Sequence, residues 1–290
     1  MGARLNGTNG TNGLRPPLTG DPGGMWHWVP VGVAVLSLAP LALLVGPLLV
    51  LAWRSFSLEQ LRVAIGDPMV RQALRLSFVT TSASLILVVL FGSPVAYLLA
   101  RHRFTGRAVL DALLDLPMIL PPAVAGLALL LTFGRRGALG PLLEAMGVHI
   151  AFSWTAVVMA QCFVSAPFFI RAARTGFEAV DPQLEHVAAT LGTSPAAIFF
   201  RVTLPLALPN ILAGMVMAWA RGLGEFGATI MFAGNFPGRS QTMPLAVYSA
   251  MEGDLGAALT LALILLFVSL GALLVFKQVT GGGRSNIHAV

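Results

Sequence analysis

Six stretches without a charged side chain dominate this sequence: residues 29–53, 76–100, 116–134, 150–170, 202–220 and 255–276, each 19 to 25 residues long. A helix needs about 20 apolar residues to cross roughly 30 Å of hydrocarbon, where it must satisfy its backbone groups internally. Each stretch meets that length. With 56% hydrophobic and 10% charged residues, too little polar surface remains to cover a soluble globule of 290 residues. Ten-residue segments of alternating hydrophobicity are absent, which argues against a membrane β-barrel. The expected architecture is an all-α membrane protein with six transmembrane helices. The first covers residues 25–53, and a core of five more lies within residues 70–280.

The formal charge of +6 comes from basic residues scattered between the apolar runs, so nucleic acid is not an expected partner; membrane lipid is. Placing the N-terminus inside puts ten Lys and Arg residues on the cytoplasmic side and seven on the outer side, with Arg221 inside a span. The short loop from Arg101 through Arg103 to Arg107 packs three arginines against two span ends, which favours cytoplasmic N- and C-termini. Residues 1–24, with repeated Asn-Gly-Thr, read as a disordered cytoplasmic tail on which the glycosylation pattern has no meaning. Trp26, Trp28 and Trp53 bracket the first run as interfacial anchors, and the run is too long for a secretory signal. Cys162, the one cysteine, sits mid-run and reads as packing.

The most ordered polar segment spans residues 178–205. Asp181-Pro182 places an N-cap before a proline at the first helical position, and Gly192 ends the helix, which predicts a helix over 182–191. Glu185, Ala188, Ala189 and Gly192 then share a small face with an acid at one end, suited to close approach by a partner. Ser194-Pro195 repeats the cap, predicting a second short helix over 196–203 whose Ile198, Phe199, Phe200 and Val202 lie against the bundle. An ordinary interhelical loop would need neither cap. Elsewhere, Gly92-Ser93-Pro94 predicts a kink in the second run, and Pro117 with Pro121-Pro122 predicts bent first turns in the third, followed by helix to Phe133.

These residues carry a resemblance. The segment from Glu185 and His186 through Ala188 and Ala189 to Gly192, closing at Val202-Thr203-Leu204-Pro205, resembles the cytoplasmic signature loop of ABC-importer permeases. The triplet departs from the pattern: aligned on Gly192, Glu185 stands one place early and Val202 replaces the usual Ile. The likeness extends over residues 76–104 and over Leu116-Pro117 to Pro122 with Gly126. From Arg221 to Asn235 and from Gly238 to Tyr248 the chain is similar to the molybdate/tungstate branch in particular. The resemblance implies a type I importer permease fold in a bacterial or archaeal inner membrane. It implies a homodimer, two cytoplasmic ATPase subunits docked on Glu185, His186, Ala188, Ala189, Gly192, Leu204 and Pro205, and a periplasmic or lipid-anchored oxyanion-binding protein. Alternating access would then import a tetrahedral oxyanion, most closely molybdate or tungstate, with sulfate or thiosulfate as the alternative.

The residues bear on that expectation independently. A Walker loop needs Gly-Lys-Ser/Thr, and the one lysine, Lys277, stands between Phe276 and Gln278. No ATP or magnesium is therefore expected on this chain; both belong on a partner, and this chain is a non-catalytic transport subunit. Arg221 and Glu225, at i and i+4, read either as a structural charge pair or as groups on the translocation pathway together with Thr229 and Asn235. Arg239 and Gln241 are candidate contacts for the binding protein. The histidines are dispersed and predict no metal site. No arrangement for covalent catalysis can be read from spacing. An ion-coupled secondary transporter would use midplane acids and internal repeats, and Glu225 alone offers little for that.

Overall fold

Residues 28–281 are described in a computed structural model. The predicted tail, residues 1–24, lies outside them. Among the described residues the regular structure is entirely helical. The helices are α1 (Trp28–Ser55), α2 (Leu58–Gly66), α3 (Pro68–Arg101), α4 (Arg107–Ile119), α5 (Pro122–Phe133), α6 (Gly140–Ala145), α7 (Trp154–Glu178), α8 (Pro182–Thr190), α9 (Pro195–Ile198), α10 (Leu204–Leu223), α11 (Gly227–Ala233), α12 (Met243–Met251) and α13 (Leu255–Gly281). A π-helical turn, Phe199–Thr203, joins α9 to α10.

Helix α1 stands as a unit of its own, continuous through Pro40 and Pro47, with a mean hydropathy of 2.5 over Val33–Ser55. In the second unit α7 is central. Its Phe169, Ile170, Ala173 and Phe177 pack with Val88, Ala96 and Leu99 of α3 and with Ala207, Ile211 and Ala218 of α10. Toward its other end, Ala156, Val157, Ala160 and Val164 meet Ala125 and Leu129 of α5 and Ala228, Phe232 and Ala233 of α11. The prevalence of alanine has a physical cause. Lipid tails are as apolar as a side chain, so helices associate in a bilayer through close van der Waals contact and occasional hydrogen bonds. Gln161 Nε2 of α7 donates such a bond to Thr81 Oγ1 of α3 over 3.1 Å, and Met243 N of α12 donates to Ser77 Oγ over 2.8 Å. Cys162 packs here as expected, its thiol 3.6 Å from the Ser84 carbonyl.

Five of the six predicted runs form single helices long enough to cross a bilayer, and the third is a bent pair of helices that makes the sixth span where the pair is counted as one. It is divided between the end of α4 and α5, which turn by 115° relative to one another. The cause is Pro121-Pro122. A residue preceding proline is driven out of the helical region, and both Leu120 (ψ 134°) and Pro121 (ψ 132°) are extended. At 12 residues, about 18 Å long, α5 is too short to cross alone. One correction concerns residues 196–203. They form no separate helix but run through the π turn into α10, giving one 29-residue span, Pro195–Leu223. Ile198 is buried as predicted, whereas Phe200 is 65% exposed and faces away from the bundle.

Candidate functional site

Helix α8 is built as its caps require. Asp181 Oδ1 accepts from Gln183 N at 2.9 Å, and Pro182 follows at the first turn. At the other end Gly192 adopts φ +79°, a left-handed conformation that a side chain would disfavour. Thr193 N donates to Ala188 O at 3.2 Å and Gly192 N to Ala189 O at 3.0 Å, the paired closure of a Schellman cap.

Helix α8 turns one face to the bundle and another to solvent. Glu185 Oε1 accepts from Arg101 NH2 of α3 at 2.8 Å and from Thr203 Oγ1 of the π turn at 2.6 Å. Arg101 NH2 also donates to the Val180 carbonyl at 3.1 Å. Glu185 therefore points into the bundle, and half-buried Ala188 follows it one turn later. The face turned to solvent carries Leu184, Val187 and Leu191, at 48%, 58% and 79% exposure, an apolar ridge at i, i+3 and i+7. Ala189 and Gly192 are exposed beside it, and His186 is exposed with Nδ1 2.7 Å from the Pro182 carbonyl. Leu204 packs against the core and Pro205 is exposed. The ridge was missed in the sequence, although the leucine and valine spacing carried it.

Behind α8, the C-terminal end of α7 is tied to α4 by ion pairs. Arg174 pairs with Asp111 at 2.7 Å and with Glu178 at 2.8 Å, Arg171 pairs with Asp115 at 2.5 Å, and Arg107 reaches Glu178 at 3.6 Å. Exposed pairs of this kind are each worth less than about 1 kcal/mol, but a shared network fixes geometry. Arg174 and Glu178 are an i,i+4 pair within α7, whereas the three pairings between α7 and α4 were not anticipated from sequence, because they join residues 56 to 71 positions apart.

The second candidate lies where α10 gives way to α11. Glu225 is not on the α10 helix, as its i+4 spacing suggested, but in the break after Gly224. It is 1% exposed; Oε1 accepts from Ala228 N at 2.8 Å and Oε2 lies 2.6 Å from Arg221 NH1. The charge pair is thus present, and it also caps α11. Thr229 is fully buried one turn on, its hydroxyl without a recorded partner.

With this geometry in place, comparison with known proteins is decisive. Residues 89–279 match the family of binding-protein-dependent transport system inner membrane components. The chain belongs to this family. Similar proteins include the molybdenum transport system permease protein of Mycobacterium tuberculosis, 48% identical over 207 residues that cover 71% of this chain and 78% of the relative. The molybdate/tungstate transport system permease protein of Pyrococcus abyssi is 39% identical over 221 residues, covering 76% and 83%. Among solved structures, a bacterial ABC transporter involved in import of the acidic polysaccharide alginate superposes with a TM-score of 0.71 at 13% identity, covering 89% of this chain and 96% of that one. At that identity the likeness concerns the fold alone.

The remaining predicted residues occupy the other membrane face of the permease. Asn235 Nδ2 donates to Ser249 Oγ at 2.7 Å, and Gln241 Nε2 donates to the same oxygen at 3.4 Å, so both amides tie the segment after α11 to α12. Gln241 is 4% exposed. It lines a cleft of about 580 Å³ with Glu59, Asp67 and Asp254. Arg239 is exposed and lines a separate pocket of about 310 Å³ with Arg135, Glu144 and His149. Among the described residues no group of three metal-ligating side chains comes together.

Proposed function

We propose that this permease forms the translocation pathway of an ATP-driven importer of a tetrahedral oxyanion, molybdate or tungstate. The single observation that carries the ATP-driven part is the solvent-facing ridge Leu184, Val187 and Leu191 on a capped cytoplasmic helix braced from behind by Arg101 and Thr203. Among the described residues the apolar ridge on this short polar-loop helix is left exposed; a groove on a cytoplasmic ATPase subunit, which would hold the ATP and magnesium, supplies a partner. The substrate class rests on the similarity to the molybdenum and molybdate/tungstate permeases of Mycobacterium tuberculosis and Pyrococcus abyssi.

In this reading two copies of the permease pair around the pathway, with N- and C-termini in the cytoplasm, and a binding protein delivers the anion to the outer face. Closure of two ATPase subunits displaces α8. The displacement passes through Glu185 to α3 and the π turn, and thence to α10, so that the pathway switches between two rigid-body states. Uptake of labelled molybdate by vesicles containing the complex tests this. The expected result is uptake that requires ATP, is blocked by vanadate, and is competed more strongly by tungstate than by sulfate. Uptake that follows a proton or sodium gradient without a bound ATPase would overturn it, and stronger competition by sulfate would move the substrate to the alternative oxyanion.

A further inference from the structure

We infer that Arg221 is a contact for the transported oxyanion inside the membrane, with Glu225 as the residue that positions it and tempers its charge; this rests on the oxyanion reading above. The first support is the meeting of two broken helices. A Cβ placed on Gly227 would stand 2.7 Å from Pro122 Cβ, and one on Gly126 would stand 2.5 Å from the Ala228 carbonyl oxygen. Helices α5 and α11 therefore lie backbone to backbone and begin at the same level. They climb together until Phe133 and Phe232 meet at 6.5 Å between ring centroids and Phe152 N reaches the Phe232 carbonyl at 3.2 Å. The seven residues of α11 rise about 10 Å beyond the break, which follows the 29-residue span Pro195–Leu223.

At that level the Arg221 side chain is 30% open. An arginine within a span that faced hydrocarbon would be costly, so its open part faces water or a second copy of the chain. The guanidinium meets Glu225 through NH1, and no other partner is recorded for it among the described residues. Its remaining donors form a planar fork that matches two oxygens of a tetrahedral dianion. Glu225 does not compete for those donors, because its other oxygen is fixed by Ala228 N and the whole side chain is 1% exposed. The carboxylate does reduce the net charge of the pair to zero. A transported ion must be held well enough to enter and weakly enough to leave, and a half-neutralised arginine satisfies both conditions. Two polar groups beside the junction, Thr229 Oγ1 and Gln161 Oε1, are buried without partners, consistent with polar surroundings for the fork.

The experiment uses the full complex of permease, ATPase and binding protein in liposomes. Arg221→Cys in a Cys162→Ser background is expected to react with a membrane-impermeant thiol reagent and to react more slowly when molybdate is being transported. Absence of labelling overturns the inference. Arg221→Gln and Arg221→Lys are each expected to lower molybdate uptake at least about tenfold, since a hydrogen bond to a charged group is lost or misaligned. Unchanged uptake in the Lys variant, which keeps the charge and so assembles, overturns it. The double variant Arg221→Gln with Glu225→Gln separates a structural pair from a substrate contact: recovery of uptake means the pair is structural and overturns the inference, whereas continued loss in an assembled complex supports it. Glu225→Gln alone keeps an oxygen for Ala228 N and is expected to lower both KM and turnover, as the anion is held longer; a change in neither overturns the tempering role. If the wild-type complex takes up no oxyanion at all, the parent reading fails and the anion assignment falls with it.

Discussion

A single carboxylate decides how α8 sits. Glu185 accepts from Arg101 and Thr203, and both partners are mostly buried at the end of the bundle where α3 meets the π turn. Replacing Glu185 with Ala leaves the Arg101 guanidinium short of a charge partner and the Thr203 hydroxyl without its acceptor. The expected cost is about 1–3 kcal/mol, read as a fall in the thermal stability of the purified complex, with ATP hydrolysis no longer matched to uptake. Exchanging the two charges, Glu185→Arg with Arg101→Glu, is expected to restore part of that coupling, and failure to do so would show that the pairing is not the relevant interaction. Gly192 works differently. A Cβ there meets nothing within 4 Å, so Gly192→Leu adds only the strain of a left-handed residue, about 1 kcal/mol. The expected outcome is a slightly less stable complex that still transports, measured by uptake and thermal midpoint together.

The pairing of α5 with α11 is the tightest contact between elements. Helices of this kind hold together in lipid because their backbones approach closely, and Gly126 permits that approach to the Ala228 carbonyl. Gly126→Leu would drive a side chain into backbone that cannot yield without separating the helices. The loss should exceed the roughly 1–3 kcal/mol of ordinary core overpacking, and circular dichroism melts and recovery from detergent are expected to show it. The same region shows what sequence reading reaches and what it misses. The length and apolarity of the third run were plain, and so was the bend at Pro121-Pro122, but a bend of 115° depends on what the two halves pack against. The caps at Asp181, Gly192 and Ser194 were legible because capping is local chemistry, worked out within three or four residues. The inward turn of Glu185 was not, because its partner Arg101 lies 84 positions away, and the face that remains for docking follows from that pairing.

At the scale of the whole molecule the question is how work done outside the bilayer reaches a break inside it. The covalent route is short: α8, the second capped turn at Ser194, the π turn and α10 lead from the ridge to Arg221 without leaving one stretch of chain. Within that route α10 is held against α7 and α3 by buried Ala207, Ile211 and Ala218, so a displacement of α8 is passed on as a rigid shift and not absorbed locally. The ridge itself contributes little to the fold, since Leu184, Val187 and Leu191 make their surface available to solvent. Val187→Asp combined with Leu191→Asp should therefore leave the permease folded and inserted, with a melting temperature close to that of the unmodified protein. Burying two carboxylates in an apolar groove costs several kcal/mol, so the same variant is expected to lose its ATPase subunit on co-purification and to lose ATP-dependent uptake. Retention of the ATPase at wild-type stoichiometry would mean that the groove grips the helix elsewhere, with Ala189, Thr190 and Gly192 as the surface left to carry the contact.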